Sequence, residues 1–262
     1  MKLHANLTEL NRIIRIGAVS YLNTRPLLYG LKHSGLLHDV SLEEEYPSRL
    51  ADRLLNDEVD VALIPVAVIP AMSEHHIVSE YCIGAENEVA SVCIFSDVPL
   101  QQVETILLDY QSRTSVSLAR ILLRDHWKKN VKFVAAGKHF ESCIEGTTAA
   151  VIIGDRALRQ RAKSPYIYDL ALAWKEMTGL PFVFAAWVSN KELPTEFLQA
   201  FDRANAYGLA HLDEVIRQEQ VDFYDLRTYY TQNISYLLTR QKREALELFL
   251  LLVRSLEKMP VV

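Results

Sequence analysis

Residues 13–65 decide the fold class, and they read IIRIGAVSYLNTRPLLYGLKHSGLLHDVSLEEEYPSRLADRLLNDEVDVALIP. Short extended runs at 13–18, 40–45 and 59–64 predict three strands. The amphipathic segments 26–32 and 47–55 lie between them and predict two helices, because each begins with a proline, which suits the first turn of a helix. This β-α-β-α-β order is typical of a mainly parallel sheet.

The rest of the chain repeats this alternation and then becomes helical. Two extended runs at 77–83 and 89–95 predict an antiparallel hairpin. Further strands are predicted at 105–109, 131–135, 149–153 and 182–188, with helices at 115–127, 156–161 and 171–178. Three more helices, predicted from their apolar faces, cover 195–218, 226–238 and 241–257.

These elements predict an α/β protein of two lobes with a central cleft and a helical C-terminal tail. We expect lobe 1 to contain residues 1–97 and 189–262, which include the C-terminal helices, and lobe 2 to contain residues 98–188. The chain then passes between the lobes near Asp97 and Val188. Ligands of open α/β sheets bind where strands end and helices begin, so the cleft is the expected binding site.

The composition excludes several classes of protein. The chain has 28 basic and 33 acidic residues, a net charge of −5, which argues against a nucleic-acid partner. Three cysteines without C-x-x-C spacing and scattered histidines predict no disulfide, no metal site and no other cofactor. Residues 246–253 form too short an apolar run to span a membrane, and residues 1–11 lack the apolar region of a secretory signal. We expect a cytoplasmic protein, and the sequence leaves open whether it is a monomer or a dimer.

The first candidate site is the turn 19–24, between a predicted strand and a predicted helix. It supplies the hydroxyls of Ser20, Tyr21 and Thr24, the amide of Asn23 and the first backbone N–H groups of the helix. Such a helix start attracts anions, because its unpaired donors and the positive end of the helix dipole point the same way. The alternative is that Asn23 or Thr24 only caps the helix.

The second candidate site is the turn 109–115, which again joins a strand to a helix. Arg113 supplies a cation that can hold a carboxylate through two parallel hydrogen bonds. The hydroxyls of Ser112, Thr114 and Ser115 surround it. The alternative is a capped helix with a solvated arginine.

Four further residues are weaker candidates on local grounds. Gly154 could let backbone approach a ligand, whereas Asp155 more often caps the helix that follows. Ser91 lies in an extended run, where a serine usually bonds to nearby backbone. His139 is the histidine best placed to act as a general base, although a surface position is more common. No phosphate-binding glycine motif and no G-x-S-x-G hydrolase motif occurs in the sequence.

Several motifs in the correct order extend the interpretation. They are I-G-A-V-S-Y-L-N-T-R-P-L (16–27), D-V-A-L-I-P (60–65), S-R-T-S (112–115), G-D-R-A-L (154–158), and a run from Y-D-L (168–170) through Trp174 to T-G-L-P-F-V-F (178–184). Together they resemble the chorismate dehydratases of the futalosine route to menaquinone, over nearly the whole chain from Arg15. The resemblance implies a type II periplasmic-binding-protein fold without export.

The resemblance also implies a lyase reaction, in which chorismate loses water to give 3-[(1-carboxyvinyl)oxy]benzoate. Chorismate carries two carboxylates, which matches the two anion-attracting turns. The family's active-site positions fall on Asn23 and Ser91, which would orient a substrate carboxylate and the departing hydroxyl. The groups expected to bind the substrate are Ser20, Tyr21, Ser112, Arg113, Thr114, Ser115, Gly154 and Asp155.

The general base stays open at this point. Neither matching turn offers an unpaired Asp, Glu or His, and an asparagine cannot accept a proton at neutral pH. One hypothesis is that the enolpyruvyl carboxylate of the substrate takes the proton, since the cleft holds it close to C3. The competing hypothesis is a protein base, either His139 or Asp155.

Three other functions are compatible with the predicted fold. A solute-binding protein for small anions would use the same cleft without catalysis, but we expect such a protein to carry an export signal. The sister enzyme dihydroxynaphthoate synthase resembles this chain less closely in the strings at 20–23 and 112–115. A ligand-binding domain of a transcriptional regulator is a weaker alternative, because no helix-turn-helix precedes the first strand.

Overall fold

The computed structural model describes residues 13–36 and 40–257, so the expectation about a signal in residues 1–11 lies outside the described residues. The strands are, in chain order, β1 (Ile14–Val19), β2 (Val40–Glu45), β3 (Val61–Pro65), β4 (His76–Ala85), β5 (Val92–Ser96), β6 (Thr105–Leu108), β7 (Lys132–Ala135), β8 (Thr148–Ile153), β9 (Tyr166–Asp169), β10 (Phe182–Ser189) and β11 (Ser235–Leu237). The α-helices are α1 (Arg25–His33), α2 (Pro47–Leu55), α3 (Arg113–Asp125), α4 (Gly154–Gln160), α5 (Leu170–Thr178), α6 (Thr195–Ala210), α7 (Leu212–Glu219), α8 (Leu226–Thr228) and α9 (Arg240–Glu257).

The described strands form two mixed sheets, one in each lobe. The sheet of lobe 1 has the order β11-β4-β10-β3-β1-β2, and the sheet of lobe 2 has the order β7-β6-β8-β5-β9. Strand β1 lies between β2 and β3 and is parallel to both, which confirms the β-α-β-α-β unit predicted from residues 13–65. The predicted α/β class is also confirmed.

Sheet membership differs from the predicted organisation at both crossings between the lobes. Strand β5 pairs with β8 and β9 in lobe 2, so the hairpin predicted between 77–83 and 89–95 is wrong. Strand β10 pairs with β3 and β4 in lobe 1. The chain therefore changes sheet within 86–91 and again within 170–181. The boundaries predicted at 97/98 and 188/189 place β5 in lobe 1 and β10 in lobe 2, whereas the structure has β5 in the sheet of lobe 2 and β10 in the sheet of lobe 1.

The C-terminal part of the chain is less helical than predicted. Residues 226–238, predicted as one helix, contain α8, a π-helical turn (Tyr229–Asn233) and β11, which adds an antiparallel edge strand to β4. The predicted helix 195–218 is two helices, α6 and α7, which meet at His211. The buried side chains of Ile234 and Tyr236 alternate with more exposed neighbours, a period of two that suits a strand.

Candidate active site

A cavity lies between the two lobes, where strands end and helices begin. It encloses about 410 Å³ of empty space, part of which is open to solvent. Its lining residues come from both sheets and from the helix starts: Val19, Tyr21, Asn23, Thr24, Pro47, Pro65, Ile83, Val92, Ser112, Ser115, Ile153, Gly154, Phe184 and Ala185. The cavity therefore combines an apolar wall with a few amide and hydroxyl groups.

The turn 20–24 follows β1 and forms one side of the cavity. Asn23 and Thr24 both line it, and the Asn23 Oδ1 atom accepts a hydrogen bond of 3.1 Å from the Thr24 hydroxyl. Thr24 occupies the cap position of α1 without a side-chain capping bond. Ser20 is half-buried and is not a lining residue, and its backbone N–H donates to the Glu45 carbonyl oxygen at 3.1 Å.

Tyr21 connects this turn to lobe 2. Its hydroxyl donates to Oε1 of Gln111, which lies in the second candidate turn. Burial is the main cause that raises the pKa of Tyr21 above its ordinary value, and the nearby Asp109 carboxylate adds to the increase. Tyr21 therefore stays protonated at neutral pH and acts as a donor.

The start of α3 forms the opposite side of the cavity. Ser112 caps the helix, because its Oγ atom accepts a hydrogen bond of 3.2 Å from the Ser115 backbone N–H. The two hydroxyl oxygens lie 3.0 Å apart, and both residues line the cavity. The positive end of the helix dipole thus faces the cavity together with two hydroxyls, an arrangement that favours an anionic group.

Thr114 and Arg113 contact lobe 1 rather than the cavity. The fully buried Thr114 accepts a hydrogen bond of 3.1 Å from the Ala67 backbone N–H. The Arg113 Nη2 atom lies 2.7 Å from Oδ1 of Asp52, and these side chains are 47% and 54% exposed. The guanidinium expected to hold a substrate carboxylate is paired with a protein carboxylate, because α2 presents Asp52 at that point.

Gly154 and Asp155 bring the start of α4 against the first turn. Gly154 has φ +63°, and a Cβ atom there would lie 3.0 Å from the Tyr21 ring, so this position favours glycine. Asp155 Oδ1 accepts a hydrogen bond of 3.0 Å from the Leu22 backbone N–H across the cleft. The expectation that Asp155 caps its own helix is wrong, since Ile153 occupies the cap position. Burial raises the pKa of the Asp155 carboxyl above its ordinary value.

Ser91 is fully buried and precedes Val92, which lines the cavity. Its Oγ atom accepts a hydrogen bond of 2.8 Å from the Tyr229 hydroxyl. Its backbone carbonyl accepts one of 2.8 Å from Gly154 N–H. Ser91 therefore lies directly behind the cavity wall.

A carboxylate holds the backbone around Ser91 in an uncommon conformation. Ala90 has φ +61°, a value that side chains other than glycine rarely adopt. The buried Asp169 carboxylate accepts hydrogen bonds from the N–H groups of Val89 (3.1 Å) and Ala90 (2.8 Å). The same carboxylate accepts from Ala171 N–H at 3.0 Å, so it links both crossings between the lobes. Asp169 was not among the site residues predicted from the sequence, and its only local signal is its position before a helix.

A second group missed from the sequence lies behind Tyr21. Arg156 donates to the buried Asp109 carboxylate at 2.6 Å, to Gln111 Oε1 at 2.8 Å and to Glu141 at 2.9 Å. Burial raises the pKa of Asp109, and Arg156 opposes this increase. This network fixes the side-chain amide of Gln111, whose oxygen accepts the hydrogen bond from the Tyr21 hydroxyl.

His139, the remaining candidate, does not line the cavity. His139 is exposed, has φ +61° and precedes a short 3-10 helix.

Within residues 13–36 and 40–257, no group of three or more His, Cys, Asp or Glu side chains could hold a metal ion. No helix in the same ranges is long and apolar enough to cross a membrane.

Comparison with solved structures defines the class of fold. The chain is similar to the alkanesulfonate-binding protein SsuA from Xanthomonas axonopodis pv. citri bound to MOPS, with a TM-score of 0.64, 14% identity and 94% of each chain covered. A crystal structure of a protein from Archaeoglobus fulgidus gives a TM-score of 0.76 at 14% identity and covers 94% of this chain and 98% of that one. These likenesses show a periplasmic-binding-protein-like fold, as the family resemblance implied.

Residues 14–255 match a protein family described as menaquinone biosynthesis, and this chain belongs to that family. A chorismate dehydratase from Campylobacter jejuni is 29% identical over 243 residues, which cover 89% of this chain and 94% of that protein. A chorismate dehydratase from Thermus thermophilus is 27% identical over 232 residues, which cover 78% and 80% of the two chains. The resemblance found in the sequence motifs is confirmed.

Proposed function

We propose that this chain dehydrates chorismate to 3-[(1-carboxyvinyl)oxy]benzoate as a step of menaquinone biosynthesis. Family membership and the two similar chorismate dehydratases support the substrate and the reaction. The observation that carries the mechanism is the chemistry of the cavity wall. None of the fourteen lining residues, all of which the structure describes, is Asp, Glu, His, Lys or Arg.

Binding of a dianion in this cavity relies on dipoles and neutral donors. The capped start of α3, with the hydroxyls of Ser112 and Ser115, would receive the ring carboxylate. The amide of Asn23, on the facing side, would bind the enolpyruvyl carboxylate. Tyr21 and Gly154 shape the wall between these groups, while Arg113 contributes positive charge from outside the lining, where Asp52 partly neutralises it.

Elimination removes the C3 proton and the C4 hydroxyl of chorismate and makes the ring aromatic. The C3 position is vinylogous to the ring carboxylate, so negative charge that develops there spreads onto that group. The dipole of α3 would stabilise this charge more strongly in the transition state than in the ground state. Aromatisation supplies a large part of the driving force.

A wall without a carboxylate or imidazole favours the substrate as its own base. The Tyr21 phenol, with its pKa raised mainly by burial, is not a base at neutral pH. The enolpyruvyl carboxylate would take the C3 proton, and the electron pair of the C3–H bond would form the C3–C4 double bond. The C4–O electron pair would leave with the oxygen, which would receive that proton from the carboxylate and depart as water. Asn23 would orient the carboxylate, and Ser91 would donate to the departing hydroxyl once the wall at Val92 and Gly154 admits the substrate.

The test is purified protein with chorismate, followed by mass spectrometry and by ultraviolet absorption. We expect a product lighter by one water with a benzoate chromophore. Chorismate that binds and stays unchanged would instead indicate a solute-binding protein and overturn the proposal. The proposal also places the protein in the cytoplasm, where chorismate is made, which fractionation of cells would test.

A further inference from the structure

We propose that Tyr229 and Tyr236 are positioning residues for the dehydration, because their hydroxyls hold Ser91 and Asn23 respectively. Both tyrosines lie in residues 229–237, the segment formed by the π-helical turn and β11. The inference rests on the proposed function. It adds two residues that touch neither the cavity nor, on this account, the substrate.

Tyr229 is fully buried, and its hydroxyl donates to Ser91 Oγ at 2.8 Å. The other contact of Ser91 Oγ, to the Val89 carbonyl oxygen, is 3.4 Å long, at the limit of a hydrogen bond. A hydroxyl that accepts a strong hydrogen bond becomes a better donor through its own proton. Tyr229 thus prepares Ser91 to donate to the departing hydroxyl.

Tyr229 keeps the proton that it donates in this hydrogen bond. Burial raises the pKa of Tyr229 well above its ordinary value, although the contact with Ser91 opposes the increase. The phenol therefore carries its proton throughout the pH range in which an enzyme works. Tyr229 acts as a constant donor and does not exchange its proton with the substrate.

Tyr236 acts on the first turn. Its hydroxyl donates to the backbone carbonyl oxygen of Asn23 at 2.9 Å. A fixed carbonyl restricts the rotation of the backbone at Asn23 and so the direction of its side chain, which lines the cavity. The Asn23 amide is thus held from behind by a residue of the C-terminal segment.

A buried lysine fixes the strand that carries Tyr236. The Lys242 side chain is fully buried, and its Nζ atom donates to the carbonyl oxygens of Ser235 and Leu237, both at 2.8 Å. These two residues flank Tyr236 in β11. Because one ammonium group holds both neighbours, the position of the Tyr236 ring is well determined.

The chain offers a matched control in Tyr230, the next residue of the π-helical turn. Tyr230 is 2% exposed, and its hydroxyl has no hydrogen-bond partner among the described residues. Replacement of Tyr230 by phenylalanine removes a buried phenol hydroxyl from the same segment, as Tyr229→Phe does, but breaks no hydrogen bond with another described residue. A loss of kcat that occurs in Tyr229→Phe but not in Tyr230→Phe is then due to the missing hydrogen bond to Ser91.

The experiment measures kcat and KM for chorismate in Tyr229→Phe, Tyr236→Phe and Tyr230→Phe, together with thermal unfolding. We expect kcat to fall about tenfold in the first two variants, the rate equivalent of one hydrogen bond, with KM within about twofold of wild type. Tyr230→Phe should keep the wild-type kcat. In a Ser91→Ala background, Tyr229→Phe should cause no further loss, because its effect passes through the Ser91 hydroxyl.

Equal kcat values for Tyr229→Phe and Tyr230→Phe would overturn the assignment of Tyr229, and so would losses that multiply in the double variant. If Tyr229→Phe does not fold, the joint proposal is still overturned by equal kcat values for Tyr236→Phe and Tyr230→Phe, because Tyr236 would then not position Asn23. Wild-type protein that does not convert chorismate refutes the proposed function first, and the inference with it. Failure of the inference alone leaves wild-type turnover intact.

Discussion

Asp155 and Leu22 join the two lobes across the cavity, through a hydrogen bond of 3.0 Å from the Leu22 backbone N–H to the Asp155 carboxylate. The contact needs an acceptor oxygen but no negative charge. We therefore expect Asp155→Asn to keep most of the turnover, since its amide oxygen can accept the same bond. Asp155→Ala, which has no acceptor, should raise KM because the lobes lose this link.

Steady-state kinetics with chorismate separate these outcomes, and His139→Ala, which changes an exposed residue outside the cavity, serves as the control. An Asp155→Asn variant without activity would identify Asp155 as a protein base. That result would replace the substrate-assisted mechanism.

Arg113 and Asp52 form an ion pair between α3 and α2, and both side chains are about half exposed. Exposed pairs of this kind contribute about 0–1 kcal/mol. We expect Arg113→Ala to raise KM for chorismate and Asp52→Ala, which removes the neutralising carboxylate, to lower it, each by less than about fivefold. A tenfold or larger increase in Arg113→Ala alone would show that Arg113 leaves Asp52 to bind the substrate, as the sequence motif suggested.

Gly154 allows the close approach of α4 to the Tyr21 ring. Gly154→Ala should cost about 1–2 kcal/mol for the left-handed backbone and should also displace the ring that lines the cavity. Gly179→Ala is the matched control, because Gly179 has φ +74° and open space around its missing Cβ. We expect both variants to lose stability in thermal unfolding, Gly154→Ala more because of the contact with the Tyr21 ring, and we expect a loss of turnover in Gly154→Ala only. Equal turnover in the two variants would contradict the described wall.

Asp60 directly precedes β3, and its carboxylate binds Arg15 and Lys191 at 2.9 Å each. Burial opposes its ionisation, but the hydrogen bonds from Arg15 and Lys191 outweigh that effect and hold the pKa of Asp60 well below its usual range. An unfolded aspartate takes up its proton near pH 4, and the folded one does so only at lower pH. The contribution to stability is therefore complete at pH 7 and is lost as the pH falls below about 4.

The variant Asp60→Asn tests this sign. The free energy of unfolding should differ most from that of wild type at pH 7, and the difference should shrink as the pH is lowered from 5 towards 2. Chemical denaturation at several pH values measures it. A difference that stays constant over this range would show that the contribution of Asp60 to the free energy of unfolding does not depend on its negative charge.

Local sequence patterns were sufficient to predict the strands and helices that position the site. Strand β1 and the start of α1 were predicted to within one residue and the start of α3 to within two, because strand-turn-helix segments carry their own hydrophobic period and capping residues. The two turns that line the cavity follow from these elements. Their placement on opposite sides of one cleft follows from the fold class.

Pairing between distant segments was not predictable in the same way. Strands β4 and β5 are both apolar, and nothing local assigns them to different sheets. Arg113 meets a carboxylate 61 residues away, and Tyr229 and Tyr236 reach Ser91 and Asn23 over 138 and 213 residues. Such contacts depend on the packed lobes, so Arg113 has a different partner from the one predicted, and neither tyrosine was predicted.

The central claim is that the cavity supplies no base, so that a carboxylate of chorismate takes the C3 proton. The most direct test compares single-turnover rates of chorismate and of an analogue whose enolpyruvyl carboxylate is replaced by a primary amide, each at saturating enzyme. We predict that the analogue occupies the cavity and competes with chorismate but loses no water. An analogue that is dehydrated at a rate close to that of chorismate would contradict the account, because a group of the protein would then have to remove the proton.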